Sequence, residues 1–256
     1  MSPADILARY DAEIRADPPA EVGVERVWAG GVLRTIGAYS FIGWWDFPQA
    51  EAAAVVARES AYFRSREGDV EWKVFGHDRP PGLEQRLAEA GWNPEEPETF
   101  LVFDVEARDL SIDPPTGVEV RRVTDAAGVA DLIAANELAF GQREGWRQAA
   151  LEARLGDPTV ALYVAYSDGA PISSGRLEMS PGRAFAGLYG GGTAPRHRGR
   201  GVYRALVAAR AAEAKRRGFR FLTVDARETS RPIIERLGFQ PLTGIRGWVL
   251  QGRPAT

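Results

Sequence analysis

The sequence predicts an α/β fold of the α+β type. It divides into two mixed-sheet units in tandem, residues 1–112 and 113–256, with the first unit a degenerate copy of the second. Three observations predict this. Strand patterns and helical patterns alternate along a chain of 256 residues, a length that suits one large domain or two small ones. Consecutive prolines and a glycine at Asp113-Pro114-Pro115-Thr116-Gly117 interrupt both periodicities near the middle. Each half then repeats one order: strand, proline, long helix, strand, short helix ending in Gly-aromatic, strand. Pro48 precedes Pro195 by the same 147 residues that separate Gly91-Trp92 from Gly238-Phe239.

In the first half, Ser2-Pro3-Ala4-Asp5 is a helix start, with Ser2 as cap and Pro3 in the first turn. Ile6, Leu7, Tyr10 and Ile14 follow at helical spacing until Pro18-Pro19. Val22 to Trp28 and Val32 to Ile36, parted by Gly30-Gly31, read as a hairpin. Phe41, Trp44, Trp45 and Phe47 are read as core where the halves meet, or as a wall of an acceptor cleft. Pro48 opens a long helix to Arg66, stopped by Gly68. A strand from Val70 to Phe75, a helix from Leu83 to Ala90 and a strand from Thr99 to Val105 complete the half.

Beyond the break come a strand from Val118 to Val123 and helices from Asp125 to Phe140 and Arg143 to Leu155. Three strands follow: Val160 to Tyr166, Pro171 to Glu178 and Arg183 to Thr193, turned at Asp168-Gly169 and Pro181-Gly182. A helix from Val202 to Arg217, a strand from Phe219 to Asp225, a helix from Ser230 to Leu237 and a strand from Ile245 to Leu250 end the chain.

The stretch Gly190-Gly191-Gly192-Thr193-Ala194-Pro195-Arg196-His197-Arg198-Gly199-Arg200-Gly201 stands between a strand and a long helix. That order builds an anion site. First-turn N–H groups of the helix point into the loop, the macrodipole favours negative charge there, and glycine lets backbone approach a phosphate. In the first half Glu51 and Ala54 replace Arg198 and Gly201, so an acid and a Cβ oppose a phosphate.

Composition removes other chemistries. With no cysteine there is no disulfide, no thiolate metal site and no cysteine acyl-enzyme; with His77 and His197 alone there is no histidine metal cluster. A formal net charge of −3 gives no global attraction to nucleic acid or an acidic membrane. No Gly-Lys-Ser/Thr follows the glycines, and position 204 is arginine, so P-loop and dinucleotide motifs fail. Without a signal-peptide pattern or a spanning apolar run, a cytoplasmic enzyme or binding protein is expected.

Residues 118–250 resemble the GNAT acyl-CoA-dependent N-acyltransferases in element order. They also carry the family's Gln/Arg-x-x-Gly-x-Gly/Ala signature context and its late Leu-Gly-Phe, here Leu237-Gly238-Phe239. The signature string fits from Arg196 or from Arg198; Pro195 before it and Leu206 after it favour Arg198-x-x-Gly201-x-Tyr203. The resemblance implies acetyl-CoA, or a related short acyl-CoA, as co-substrate, no metal, and direct attack by an amine. The acceptor is a small molecule or peptide and the chain a monomer or homodimer.

The resemblance further implies that the strand to Thr193 and the strand Phe219 to Val224 splay to admit the pantetheine arm. Gly192 or Thr193 then offers an N–H to the acyl carbonyl, and Arg198, Gly199, Arg200, Gly201, Val202 and Tyr203 hold the pyrophosphate. Two departures stand out. Tyr203 occupies the last Gly/Ala position, and Ile234 the place where many members carry a tyrosine as general acid. Glu178 and Tyr189 are the substitutes for acid–base work; each also has a plain reading, Glu178 as a solvent-facing residue and Tyr189 as core. Ser230 is a helix cap or a cofactor contact. An acceptor cleft between the halves would draw on Trp44, Trp45 and residues of the 136–147 region, including Glu137 and Trp146. The alternative function is an acyl-CoA-binding sensor without turnover.

Overall fold

The structure, a computed structural model, describes residues 1–21, 23–143 and 145–253, without the side chain of Trp146. Val22, the expected start of the first strand, and the Trp146 side chain, expected at the acceptor cleft, lie outside the described residues.

The elements follow the predicted order. They are α1 (Pro3–Tyr10), β1 (Glu25–Ala29), β2 (Val32–Ile36), β3 (Ser40–Trp45), α2 (Ala52–Arg64), β4 (Val70–Phe75), α3 (Leu83–Glu89), β5 (Asn93–Pro94) and β6 (Glu98–Asp104). After the break come β7 (Val118–Arg122), α4 (Ala126–Phe140), α5 (Gln148–Glu152), β8 (Val160–Ser167), β9 (Ala170–Met179), β10 (Phe185–Thr193), α6 (Val202–Arg216), β11 (Phe221–Arg227), α7 (Arg231–Arg236) and β12 (Gln240–Leu250). The strand before Pro48, left without limits by the sequence, is β3. The helix expected over 143–155 shrinks to α5, because Leu151 is its one buried residue and a single contact gives no apolar stripe to hold more turns. None of the helices is long and apolar enough to cross a membrane among the described residues.

Two compact units result. One comprises Met1–Phe100, Ala226–Arg231 and Pro241–Thr256; the other comprises Leu101–Asp225 and Pro232–Gln240. They are not contiguous halves, because the last strand joins the first unit. β12 pairs antiparallel with β4, from Ile245 opposite Phe75 to Leu250 opposite Val70.

The first unit has strand order β1-β2-β3-β4-β12. Its helical entry is fixed by a capping box: Asp5 N–H donates to Ser2 Oγ at 3.2 Å, and Ser2 N–H to Asp5 Oδ2 at 3.0 Å. Trp45, Trp72 and Trp92 form its aromatic centre, packed edge to face with both centroid separations 5.6 Å. Rings of this size each hide on the order of 200 Å², about 5 kcal/mol of transfer free energy before entropy. Trp92 Nε1 donates to Ser60 Oγ at 2.8 Å, which satisfies the indole's polar edge. So Trp45 and Phe47 are core of the first unit itself, while Phe41 and Trp44 are half-buried and outside that cluster.

The second unit has order β6-β11-β10-β9-β8-β7. Val129, Leu132 and Ile133 of α4 pack on Val160, Leu162 and Val164 of β8. Val202 of α6 packs on Ala165 and Ile172. Asp125 caps α4, its Oδ1 accepting from Gly128 N–H at 2.8 Å. These two helices position the site.

Candidate functional site

β10 and β11 run parallel, and their paired residues end at Gly187 opposite Thr223. β10 continues to Thr193 beyond that point, as expected for strands that part at their carboxyl ends. On its other edge β10 bulges against β9. Tyr189 opposes Arg176 and Gly192 opposes Ser174, so Gly190 and Gly191 together oppose Gly175.

The bulge sets which helix each residue faces. A Cβ at Gly192 would lie 2.6 Å from the Phe140 ring and 2.8 Å from Ala139, both at the end of α4. A Cβ at Gly191 would lie 3.0 Å from the Tyr203 ring and 3.3 Å from Arg210 Nη2, both on α6. The two glycines are where the backbone comes within touching distance of α4 and α6. Phe140, 49% exposed, covers Gly192 from the solvent side. Asn136 Nδ2 donates to the Gly190 carbonyl at 3.2 Å, and Ser173 Oγ to the Gly192 carbonyl at 2.6 Å.

Beyond Thr193 the chain makes a 3₁₀ turn at Pro195–His197 and then crosses to α6. Gly201 caps the helix with φ +87°, a left-handed conformation that other residues adopt only with strain. The first intrahelical bond runs from Ala205 N–H to the Gly201 carbonyl at 3.1 Å, so the N–H groups of Val202, Tyr203 and Arg204 precede the helical ladder. N–H groups left free at a helix start suit an anion, and Gly201 is the cap in either register of the signature.

The predicted loop residues divide by role. Arg198 turns inward: Nε donates to the Thr193 carbonyl at 2.9 Å and Nη2 to the Ala139 carbonyl at 2.8 Å. Its guanidinium braces the loop to the ends of β10 and α4. Thr193 Oγ1 meets Ser173 Oγ at 2.8 Å. Arg200 is exposed and Val202 buried. Tyr203, the bulky departure in the signature, tucks beneath the bulge.

Glu178 and Tyr189 come together through a residue the sequence reading passed over. Arg176 Nε donates to Glu178 Oε1 at 2.5 Å, and its guanidinium carbon sits 5.3 Å from the Tyr189 ring centroid. All three share the α4 face of the sheet with Gly192. Ser230 Oγ donates to the Arg227 carbonyl at 3.1 Å. Ile234 is fully buried.

The sequence does not single out Asn136 or Phe140 within the 136–147 region, nor Arg210 among the arginines of the helix. Arg210 carried a signal: it stands seven residues after Tyr203 and four after Leu206, a charge on the apolar stripe of α6. It is 1% exposed. Nε donates to the Leu206 carbonyl at 3.1 Å and Nη1 to the Arg176 carbonyl at 3.2 Å. Nη2 has no hydrogen-bond partner of good geometry among the described residues. Burial pushes the guanidinium down, and the groups acting the other way are the phenols of Tyr203 and Tyr163. Burial likewise pushes the Tyr203 phenol up, against the lowering influence of Arg210. A separate groove of about 550 Å³ runs between α6 and residues 108–114, and none of its lining residues belongs to β10 or the loop.

Comparisons with known proteins bear on this geometry. The sequence profile of the Acetyltransferase (GNAT) family matches residues 129–239. A GCN5-related N-acetyltransferase from Kribbella flavida superposes with a TM-score of 0.70 at 16% identity, over 89% of each chain. A tandem GNAT protein from the clavulanic acid biosynthesis pathway gives 0.63 at 18% identity, over 99% of this chain and 95% of that one. A GCN5-related N-acetyltransferase from Sphaerobacter thermophilus gives 0.62 at 16% identity, over 100% and 96%. No match was found by sequence among curated proteins. These likenesses give the fold: residues 129–239 match the Acetyltransferase (GNAT) family profile, within a chain that shares the fold of the GCN5-related and tandem GNAT structures it superposes on.

Proposed function

We propose that the second unit transfers an acetyl or other short acyl group from acyl-CoA to the primary amine of a small molecule or peptide, by direct attack on the thioester. The observation that carries this is the loop from Arg198 to Tyr203. It sets a left-handed Gly201 and the leading N–H groups of α6 beside the open end of β10. In this reading the pyrophosphate takes the N–H groups of the first turn of α6, with Arg198 holding the loop in shape from behind. The pantetheine arm lies along β10 past the bulge, and Phe140 walls the acyl end. When bound, acyl-CoA supplies the activated thioester; the protein orients it and keeps water from it. The acceptor approaches on the face of Asn136, Arg176, Glu178 and Tyr189.

A second reading is an acyl-CoA sensor. It is favoured by the engagement of both Glu178 and Tyr189 with Arg176, which leaves neither as a plain base. One experiment separates the two. Acetyl-CoA is added to the protein with a panel of amines, and free thiol is followed with a thiol reagent; the chain has no cysteine, so background is absent. Thiol release that depends on an amine supports the enzyme. A thermal shift with acetyl-CoA without release across the panel supports the sensor. No shift overturns both.

A further inference from the structure

Arg210 is a buried cation with no carboxylate partner among the described residues, and such a charge is costly unless something nearby uses it. What lies nearby is the Tyr203 hydroxyl and the underside of the bulge. Measured from a Cβ built on Gly191, the Tyr203 hydroxyl lies at 3.3 Å and Arg210 Nη2 at 3.3 Å. Gly175, opposite the bulge, makes room for the same guanidinium, since a Cβ there would lie 2.8 Å from Nη1. Two glycines and a bulge thus admit a phenol and an uncompensated guanidinium directly beneath the strand end. The same Tyr203 offers its backbone N–H to the loop.

We propose that Tyr203 is the proton donor to the departing thiolate, and that Arg210 is the positioning residue that holds its hydroxyl and stabilises the phenolate left behind. This rests on the acyl-transfer reading above. The acceptor nitrogen forms the C–N bond. The tetrahedral intermediate then collapses, the C–S bond breaks and its electron pair goes to sulfur. The Tyr203 O–H proton moves to that sulfur. The phenolate stands beside the Arg210 cation until the proton shed by the acceptor nitrogen returns to it through solvent. A fixed positive charge beside the phenol suits a negative charge that exists only during turnover. The other groups are engaged or inert: Glu178 and Tyr189 are held by Arg176, and Ile234 cannot donate.

The test uses the full chain. Tyr203→Phe keeps the ring over Gly191 and removes one oxygen; kcat should fall about 10²-fold with the acetyl-CoA Kd within about twofold. Arg210→Met should fall in the same direction, and Arg210→Lys should recover part of the loss. A second measurement needs no acceptor. Calorimetry of CoA binding near pH 8, in buffers of different ionisation enthalpy, should show proton release by the wild type that is absent with desulfo-CoA and lost in Tyr203→Phe and Arg210→Met. Full kcat in Tyr203→Phe, or unchanged proton release in both variants, overturns the assignment alone. A wild type that binds neither acetyl-CoA nor CoA overturns the acyl-transfer reading itself.

Discussion

Gly201→Glu is the sharpest test of the loop. Gly201 holds φ +87°, and a Cβ there would meet Pro115 Cγ at 3.4 Å, an ordinary contact. The steric cost is therefore negligible, and the backbone cost is that of a left-handed residue, about 1 kcal/mol. For a protein of this size that lowers Tm by about 2–4 °C. Gly201→Ala should show this cost with a smaller loss of affinity, since its Cβ crowds the phosphate without adding charge. Gly201→Glu adds a carboxylate beside the leading N–H groups of α6. At about 5 Å from a phosphate charge and an effective dielectric near 20, the repulsion is about 3 kcal/mol, or roughly 100-fold in Kd. Gly182, in the β9–β10 turn, is the control: its φ is +77° and nothing lies within 4 Å of a Cβ, so Gly182→Glu carries the same backbone cost away from the loop. Urea denaturation gives the stability and calorimetry gives acetyl-CoA affinity. If folded Gly201→Glu bound acetyl-CoA within about threefold of the wild type, the phosphate would not sit in this loop.

Two further outcomes follow from ion pairs and charged hydrogen bonds. Arg198→Ala removes both charge-assisted bonds to the Thr193 and Ala139 carbonyls and should cost about 2 kcal/mol in urea denaturation while raising KM for acyl-CoA; Arg198→Lys, lacking the fork, should not restore both. Asp11 is partly buried, which alone would raise its pKa, but hydrogen bonds from His77 and Arg15 outweigh this and hold it below the ordinary 3.8. A depressed folded value means the carboxylate's contribution to stability is present above 3.8 and is lost as pH falls through the depressed value. Denaturation curves below about pH 4 should therefore lose slope in Asp11→Asn.

Much of this was legible in the sequence because the signals were local. The Ser2 cap, the Gly30-Gly31 hairpin, the Asp168-Gly169 turn and the loop glycines each act through a few adjacent residues, and the structure has them where the patterns put them. The exchange of β12 into the first unit was not legible, because a strand's sequence does not name its neighbour. Arg176 escaped for a related reason. Its role comes from sitting opposite Tyr189 across a ladder whose register a bulge shifts, and a bulge is visible only once strands are paired. Arg198 was correctly placed in the loop, yet its side chain turns to carbonyls of β10 and α4, a choice set by tertiary proximity.

The two units meet the same backbone problem with opposite chemistry, which fixes a last expectation. β3 carries a one-residue bulge at Gly43, between Ile42 opposite Arg34 and Trp44 opposite Leu33, just as β10 bulges at Gly190-Gly191. Each bulge carbonyl accepts from a helical residue: Gly190 from the neutral amide of Asn136, Gly43 from Arg15 Nε at 3.1 Å. Arg15 is no loose partner. Nη1 and Nη2 bind Asp78 at 2.8 and 2.7 Å, Nη1 also binds Asp11 at 2.8 Å, and the guanidinium carbon stacks 3.9 Å over Phe75. Beyond β3, the 3₁₀ turn Gln49–Glu51 winds directly into α2 without the two left-handed glycines that open the loop before α6. A pantetheine amide at the first bulge would have to displace a buried, doubly paired guanidinium, at a cost of about 3–5 kcal/mol, and would find no phosphate loop in return. Titration calorimetry with acetyl-CoA should therefore give one site per chain; a second site of comparable affinity, lost on Gly43 substitution, would show that the first unit still binds.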